Sequence, residues 1–257
     1  MTGGRTVTEV REERAGLSFW VHPEWADRFP SVVQGTTGAP HDLGLWGDQP
    51  AGPALRRWLK LPPALDAHGV VHALQAHGAE VAVHGSGDVC EGVRIIPGLD
   101  GHATAVPGLL LAISVADCVP IFLHHPRSGA VAALHSGWRG TAAGILEAGL
   151  RTLRDVLGAP APELVLHLGP AICGRCYEVS PEVHRAVNGP ENAPDHAAPI
   201  DLRAALAARA VRAGVPADAV TISAHCTLCG PGDFFSHRGG APERQMALIG
   251  LRAPQGA

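Results

Sequence analysis

Between residues 106 and 136 three apolar runs alternate with short breaks: Gly108 to Ala116, Val119 to Leu123 and Ala130 to Leu134. The break His124-His125-Pro126-Arg127-Ser128-Gly129 is a turn by composition. Short apolar runs bounded in this way read as strands, at least two of them in hairpin relation. From Thr141 the period changes: Ile145, Gly149, Leu153 and Val156 fall on one face, with Leu146, Leu150 and Leu157 beside them, which is helical spacing. Gly158 and Pro160 stop that helix.

Similar signals run through the rest of the chain. A Pro/Gly-rich loop from Gly47 to Pro63 is interrupted by a short helix over residues 54–59. A strand is expected at Leu164 to Leu168, and Ser180-Pro181 reads as an N-cap followed by proline in the first helical turn. A helix over about 201–213 closes at Gly214, and strands over about 220–223 and 245–251 finish the chain. Mixed order of strands and helices predicts an α+β fold with a mixed, largely central sheet in a single domain.

Composition narrows the function. The 257 residues are 46% apolar and 17% charged, enough to bury one substantial core. A net charge of −4 gives no reason to expect nucleic acid as a partner, and the lack of a basic tract gives none to expect a membrane surface; the near-exclusive use of arginine, with Lys60 the only lysine, reads as genome composition. Met1 to Gly16 is polar and lacks the apolar stretch of a signal peptide, and Gly108 to Ala116 is too short to span a bilayer. A cytoplasmic protein is expected, so six cysteines read as thiols or metal ligands and not as a disulfide framework.

Three segments carry chemistry: Gln75-Ala76-His77-Gly78, Ala116-Asp117-Cys118-Val119-Pro120, and His135 to Thr141. In each, a ligand-bearing residue stands where an apolar run gives way to a turn, at a strand end facing a cleft. Two imidazoles and one thiolate suit Zn²⁺, and three protein ligands leave a fourth position for water or substrate. His77, Cys118 and His135 are thus the metal candidates, although Cys118 as a small buried hydrophobe stays open. Most of the fifteen histidines have ordinary roles; His22, His68, His102, His184 and His196 read as surface or hydrogen-bonded residues.

The remaining signals leave alternatives. Cys173-Gly-Arg-Cys176 and Cys226-Thr-Leu-Cys229 form two C-x₂-C pairs about fifty residues apart. They read either as a structural four-cysteine site or as separate thiols near a pocket. Arg139-Gly140-Thr141 opens the long helix, where backbone N–H groups beside a guanidinium offer an anion site; an ordinary cap with Arg139 in a surface ion pair is the other reading.

Taken together these motifs resemble the YfiH family, also known as laccase-domain or multicopper polyphenol oxidase proteins and as peptidoglycan editing factor. The resemblance rests on Q-x-H-G at 75–78, A-D-C-V-P at 116–120, H-x-G-W-R-G-T at 135–141, G-P-A-I at 169–172, Cys176-Tyr177-Glu178-Val179, Cys226-Thr227, and F-F-S-x-R at 234–238. It implies a single catalytic domain over 31–251, preceded by an N-terminal extension with a first strand over 1–30 and followed by a short tail at 252–257. It further implies the fold shared with the catalytic domain of cytotoxic necrotizing factor. The function implied is a zinc-dependent purine nucleoside phosphorylase that also deaminates adenosine and cleaves methylthioadenosine. Zinc would sit on His77, Cys118 and His135. Cys118, His135 and Arg139 would be catalytic, and Arg139, Gly140, Thr141 and Arg238 would bind purine nucleoside and phosphate. A monomer is expected.

Departures matter too. The T-R-x-G-G-V-S and S-L-N-L-G stretches usual in the family are replaced by Thr36-Thr37-Gly38-Ala39-Pro40-His41-Asp42-Leu43-Gly44, without the arginine, and the usual Gly-Arg-Gln is Glu243-Arg244-Gln245. The H-x-E…P-C-x-x-C deaminase signature is absent, so deamination would use another acid or base, with Glu80, Asp117 and Glu178 as candidates. Two other activities compete. Copper-dependent phenol oxidation is compatible with thiol and imidazole ligands, but the histidines lack the H-x-H pairs of a multicopper centre. A Cys118–His135 nucleophilic pair could hydrolyse peptidoglycan precursors without metal. A binding module without turnover is the last alternative.

Overall fold

The computed structural model describes residues 3–45, 51–89 and 91–254. Residues 47–50 of the Pro/Gly-rich stretch and 255–257 of the expected tail lie outside the described residues.

Sixteen strands among the described residues form two seven-stranded sheets and one small ribbon, where one largely central sheet is expected. The first sheet runs, in spatial order, β1 (Arg5–Val7), β15 (Val220–Ser223), β12 (Val165–Leu168), β10 (Val119–His124), β11 (Val131–Ser136), β8 (Gly101–Thr104) and β6 (Val81–His84). The second runs β2 (Val10–Arg14), β3 (Leu17–Val21), β4 (Val32–Thr37), β16 (Gln245–Leu251), β9 (Leu109–Val115), β5 (Gly69–Leu74) and β7 (Gly92–Pro97). Both mix parallel and antiparallel pairs. The ribbon pairs β13 (Glu178–Val179) with β14 (Ala198–Pro199).

Alternation along each strand explains why there are two sheets. On β9, Leu109, Leu111, Ile113 and Val115 join Phe122, Val131, Ala133, Ala247 and Ile249 in a core between the sheets. Leu110 and Ala112 turn outward with Met246, Leu248 and Phe19 onto Trp58 and Leu61, which belong to α2 (Ala51–Trp58) and α3 (Leu61–Ala64). The far face of the first sheet, with Ile121, Leu123, Ala132 and Leu134, packs against helices of the C-terminal half. Those helices are α4 (Trp138–Ala143), α5 (Ile145–Leu157), α6 (Pro181–Asn188) and α7 (Leu202–Arg212). A four-residue helix, α1 (Trp25–Arg28), follows β3. The layers are therefore helix, sheet, sheet, helix, and strands apolar on both faces are what such burial requires. Of the three apolar runs, β10 and β11 form the hairpin, but β9 belongs to the opposite sheet.

The long helix expected from Thr141 is interrupted. α4 starts at Trp138 and ends at Gly144, whose left-handed φ of 83° breaks the chain before α5 begins at Ile145. Ile145, Leu146, Gly149, Leu150 and Leu153 of α5 are buried against the first sheet, whereas Val156 is 61% exposed. A Cβ on Gly149 would lie 2.5 Å from Leu134 Cδ1, so only glycine lets α5 approach β11 this closely. Each fully buried Leu or Ile on that face contributes about 1.5–3 kcal/mol.

Among the described residues, 3–30 supply three strands where an extension with a first strand is expected. β1 pairs with β15, β2 with β3, and β3 with β4, so this segment contributes to both sheets. Glu9, 4% exposed, accepts hydrogen bonds from His167 Nε2 (3.0 Å) and Ser223 Oγ (2.9 Å) inside the molecule.

Candidate metal centre and active site

The three motif residues meet at one end of the sandwich. His77 follows the end of β5, Cys118 sits in the turn that carries the chain from β9 in one sheet to β10 in the other, and His135 lies near the end of β11. Their ligand atoms are all within 4.8 Å of one another. The two imidazole rings meet edge to face, with centroids 4.9 Å apart. Local backbone geometry is unusual on both sides: His77 has φ 60° and Asp117, next to Cys118, has φ 82°. Left-handed conformations at non-glycine residues cost of order 1–3 kcal/mol and persist where surrounding contacts over-determine them.

At His77 those contacts come from Asp100, which the motifs do not reveal. Its carboxylate, 1% exposed, accepts from the backbone N–H groups of Ala76 (3.1 Å), His77 (2.9 Å) and Gly78 (2.7 Å), which holds the His77 loop. It also accepts from His135 Nδ1 at 2.8 Å. Nδ1 must carry the proton there, because an ionised carboxylate only accepts. Nε2 of His135 is left on the Cys118 side and can serve as a ligand once it gives up its proton, with Asp100 behind Nδ1 in the arrangement found around metal-bound imidazoles. Burial alone would raise the Asp100 carboxyl, but its hydrogen bonds to His135 and the loop N–H groups keep it below the ordinary range.

Cys118 and His135 form a charge pair. Burial opposes the thiolate, yet the His135 and His77 imidazoles outweigh it and lower the thiol. Burial likewise disfavours the imidazolium, yet the Cys118 charge and the Asp100 hydrogen bond raise His135. Gly137 completes the fit: a Cβ there would lie 2.9 Å from Cys118 Sγ. Two imidazoles and an activated thiolate at this separation suit a borderline-soft divalent ion, with one side open.

That open side faces a cavity of about 350 Å³ lined by His77, Asp117, Cys118, Gly137, Trp138, Arg139, Ile172, Tyr177, Leu202, His237 and Arg238, with Ala116. This is the scale of small-molecule sites, roughly 300–1,000 Å³. The Arg139 guanidinium stacks 4.4 Å from the Trp138 ring and makes no ion pair among the described residues. The Arg238 guanidinium lies 4.9 Å from Tyr177 and donates to the Glu178 carbonyl at 2.9 Å. His237 joins the lining; the F-F-S-H-R motif contains it, but only Arg238 stands out there in the sequence.

Other expectations change. Gly140 and Thr141 do not line the cavity. Both are buried, with the Thr141 hydroxyl donating to Gly137 O (2.8 Å) and touching Ser136 Oγ (2.8 Å). α4 is only six residues long, so no extended helix N-terminus faces an anion, and Arg139 and Arg238 remain as the cations. Of the acid/base candidates, Glu80 and Glu178 are exposed and outside the lining. Asp117 lines the cavity, but its oxygens accept from Thr227 Oγ1 (2.5 Å) and Arg238 N (2.6 Å), which makes it a brace for the wall. Among the histidines read as ordinary, His22 touches Thr221 Oγ1, His102 touches His84, His184 bonds Ala198 O and His196 bonds Asp195. His68 is exposed. The replaced 36–44 loop is absent from the lining. It packs on the segments that flank Arg238, with Ala39 N donating to Asp233 O before it and Arg244 N to Asp42 Oδ1 after it.

The family model described as multi-copper polyphenol oxidoreductase laccase matches residues 51–252. A purine nucleoside phosphorylase of Streptomyces coelicolor is 42% identical over 151 residues, covering 58% of this chain and 61% of that protein. The chain thus matches somewhat less than two thirds of that relative's length. An adenosine deaminase from an unknown prokaryotic organism is 35% identical over 71% of this chain and 74% of its own. Among solved structures, YlmD from Geobacillus stearothermophilus superposes with a TM-score of 0.83 at 27% identity, covering 95% of this chain and 100% of that one. The Bacillus licheniformis hypothetical protein YfiH gives 0.80 at 26%, covering 91% of this chain and 96% of that one.

Proposed function

This chain belongs to the multi-copper polyphenol oxidoreductase laccase family, the YfiH family, and on that premise we propose that it is a zinc-dependent purine nucleoside phosphorylase that also deaminates adenosine and cleaves methylthioadenosine. The observation that carries the reading is the convergence of His77, Cys118 and His135 on a cavity that also holds two arginines. Relatives named purine nucleoside phosphorylase and adenosine deaminase support the substrate class.

Zinc, when bound by His77, Cys118 and His135, supplies Lewis acidity. Phosphorolysis joins a phosphate oxygen to ribose C1′ as the C1′–N9 bond breaks, and the purine leaves with that electron pair and a proton. Arg139 and Arg238 would hold the phosphate dianion by charge-assisted hydrogen bonds. The rings of Trp138 and Tyr177 offer faces for a purine. Deamination needs no phosphate, so the two activities would share the pocket but not the arginine contacts. Copper in a multinuclear cluster is disfavoured, because the two groups able to hold a metal among the described residues contain only two histidines between them.

One observation supports a second reading. The Cys118–His135–Asp100 chain has the order of a nucleophile, a base and its orienting carboxylate. A cysteine hydrolase would use it without metal, and His77 would then have no role. The test is chromatographic: purified wild type and Cys118→Ser are each incubated with adenosine, with and without phosphate. Phosphate-dependent adenine from the wild type alone is expected, with inosine appearing without phosphate. Full activity of Cys118→Ser would overturn the assignment.

A further inference from the structure

Outside the cavity, the two C-x₂-C pairs converge. Their four Sγ atoms lie within 4.8 Å of one another, and those of Cys173 and Cys229 are 3.9 Å apart. Four thiolates around one zinc at about 2.3 Å define a tetrahedron with edges of about 3.8 Å. None of the four is in a disulfide.

The backbone supports the same geometry. Cys226 Sγ accepts from the N–H of Cys229 (3.5 Å) and from the N–H of Cys173 (3.3 Å). The first bond folds the C-x₂-C loop back on its own leading sulfur; the second ties the two loops together. A backbone bridge between Ala171 and Cys226, and a bond from Thr227 N to Ala171 O (3.2 Å), hold the loops in register. Thiols are poor hydrogen-bond donors, and four of them facing one another satisfy little unless a cation sits between them.

We propose that Cys173, Cys176, Cys226 and Cys229 form a structural Zn²⁺ site distinct from the His77–Cys118–His135 centre. Its place explains its use. Ile172 and Tyr177, which flank the first pair, line the cavity, and Thr227, beside Cys226, braces Asp117. A zinc there would staple two irregular loops into one wall, where few backbone ladder bonds do so. No open coordination position remains with four protein ligands, which marks a structural and not a catalytic ion.

The test reads metal and not turnover, so it stands apart from the nucleoside reading. Zinc content is measured on purified wild type, Cys118→Ser and Cys173→Ser/Cys229→Ser. Cys118→Ser is expected to retain one zinc per chain. Its cobalt-substituted form should show sulfur-to-metal absorption roughly four times that of a single-thiolate site, since four thiolates contribute. If the double variant does not fold, the Cys118→Ser measurement alone decides. No zinc in Cys118→Ser, a disulfide among the four cysteines, or iron in place of zinc would each overturn the proposal.

Discussion

His135 donates its Nδ1 proton to Asp100 Oδ1 at 2.8 Å, and both side chains are almost wholly buried. The same carboxylate holds three backbone N–H groups of the His77 loop, so one acid fixes two of the three metal candidates. Asp100→Asn should weaken zinc binding about 10–100-fold, the usual effect of losing such an outer partner. Competition with a chelating dye measures it. Unchanged affinity would remove Asp100 from the site.

Gly137→Ala tests the closeness of the third ligand. The added methyl must displace Cys118 Sγ, which lies 2.9 Å from its ideal position. Overpacking of this kind costs about 1–3 kcal/mol. A folded variant with a lowered melting temperature and little bound zinc at the His77–Cys118–His135 centre is expected; normal metal content would show that the thiol has room to move.

Arg139 should separate the two activities. Its loss removes a charge-assisted contact of about 1.5–3 kcal/mol, so Arg139→Ala should raise the KM for phosphate roughly 10–100-fold. Phosphate-independent inosine formation should change little. Equal loss of both activities would assign Arg139 to the nucleoside and not to phosphate.

Buried histidines set the acid limit of stability. His22, His72, His102 and His124 are at most 2% exposed. Burial, the leading cause in each, lowers them to about 3 for His22 and His102 and about 4 for His72 and His124; like-charged neighbours add to this, His167 on His22 and His84 on His102. Unfolded imidazoles titrate near 6.5, so below that pH the unfolded chain takes up protons that the folded chain does not. The contribution of these four histidines is therefore complete above about pH 6.5 and falls as pH drops toward 4, by up to about 1.4 kcal/mol per group per pH unit. Melting temperatures from pH 7 to pH 4.5 should fall steeply; a flat profile would contradict neutral burial.

Much of this was legible in the sequence because the motif residues stand at the ends of apolar runs. His77, Cys118 and His135 each follow a strand or end one, and strand ends are where a sheet sandwich gathers side chains from distant segments. Asp100 escaped because Pro97-Gly98-Leu99-Asp100-Gly101 reads as a turn, and its partner His135 lies 35 residues away. β2 escaped because Val-Arg-Glu-Glu-Arg has no alternation; it is an edge strand with most residues exposed. The break at Gly144 was hidden by hydrophobic spacing that continues across it. Single versus paired sheets could not be told apart, since an apolar strand does not say which neighbour covers it. The two cysteine pairs were visible as motifs, but their meeting depends on the Ala171–Cys226 bridge.

Turnover at His77, Cys118 and His135 is expected to depend on zinc. This dependence is tested most directly by stripping the enzyme with a chelator and titrating zinc back while following adenine release from adenosine in phosphate. The stripped protein is expected to be inactive, with activity that returns with zinc and saturates, and with no recovery in Cys118→Ser. Full activity after stripping, abolished instead by iodoacetamide, would contradict that dependence and establish Cys118 as a nucleophile in its own right.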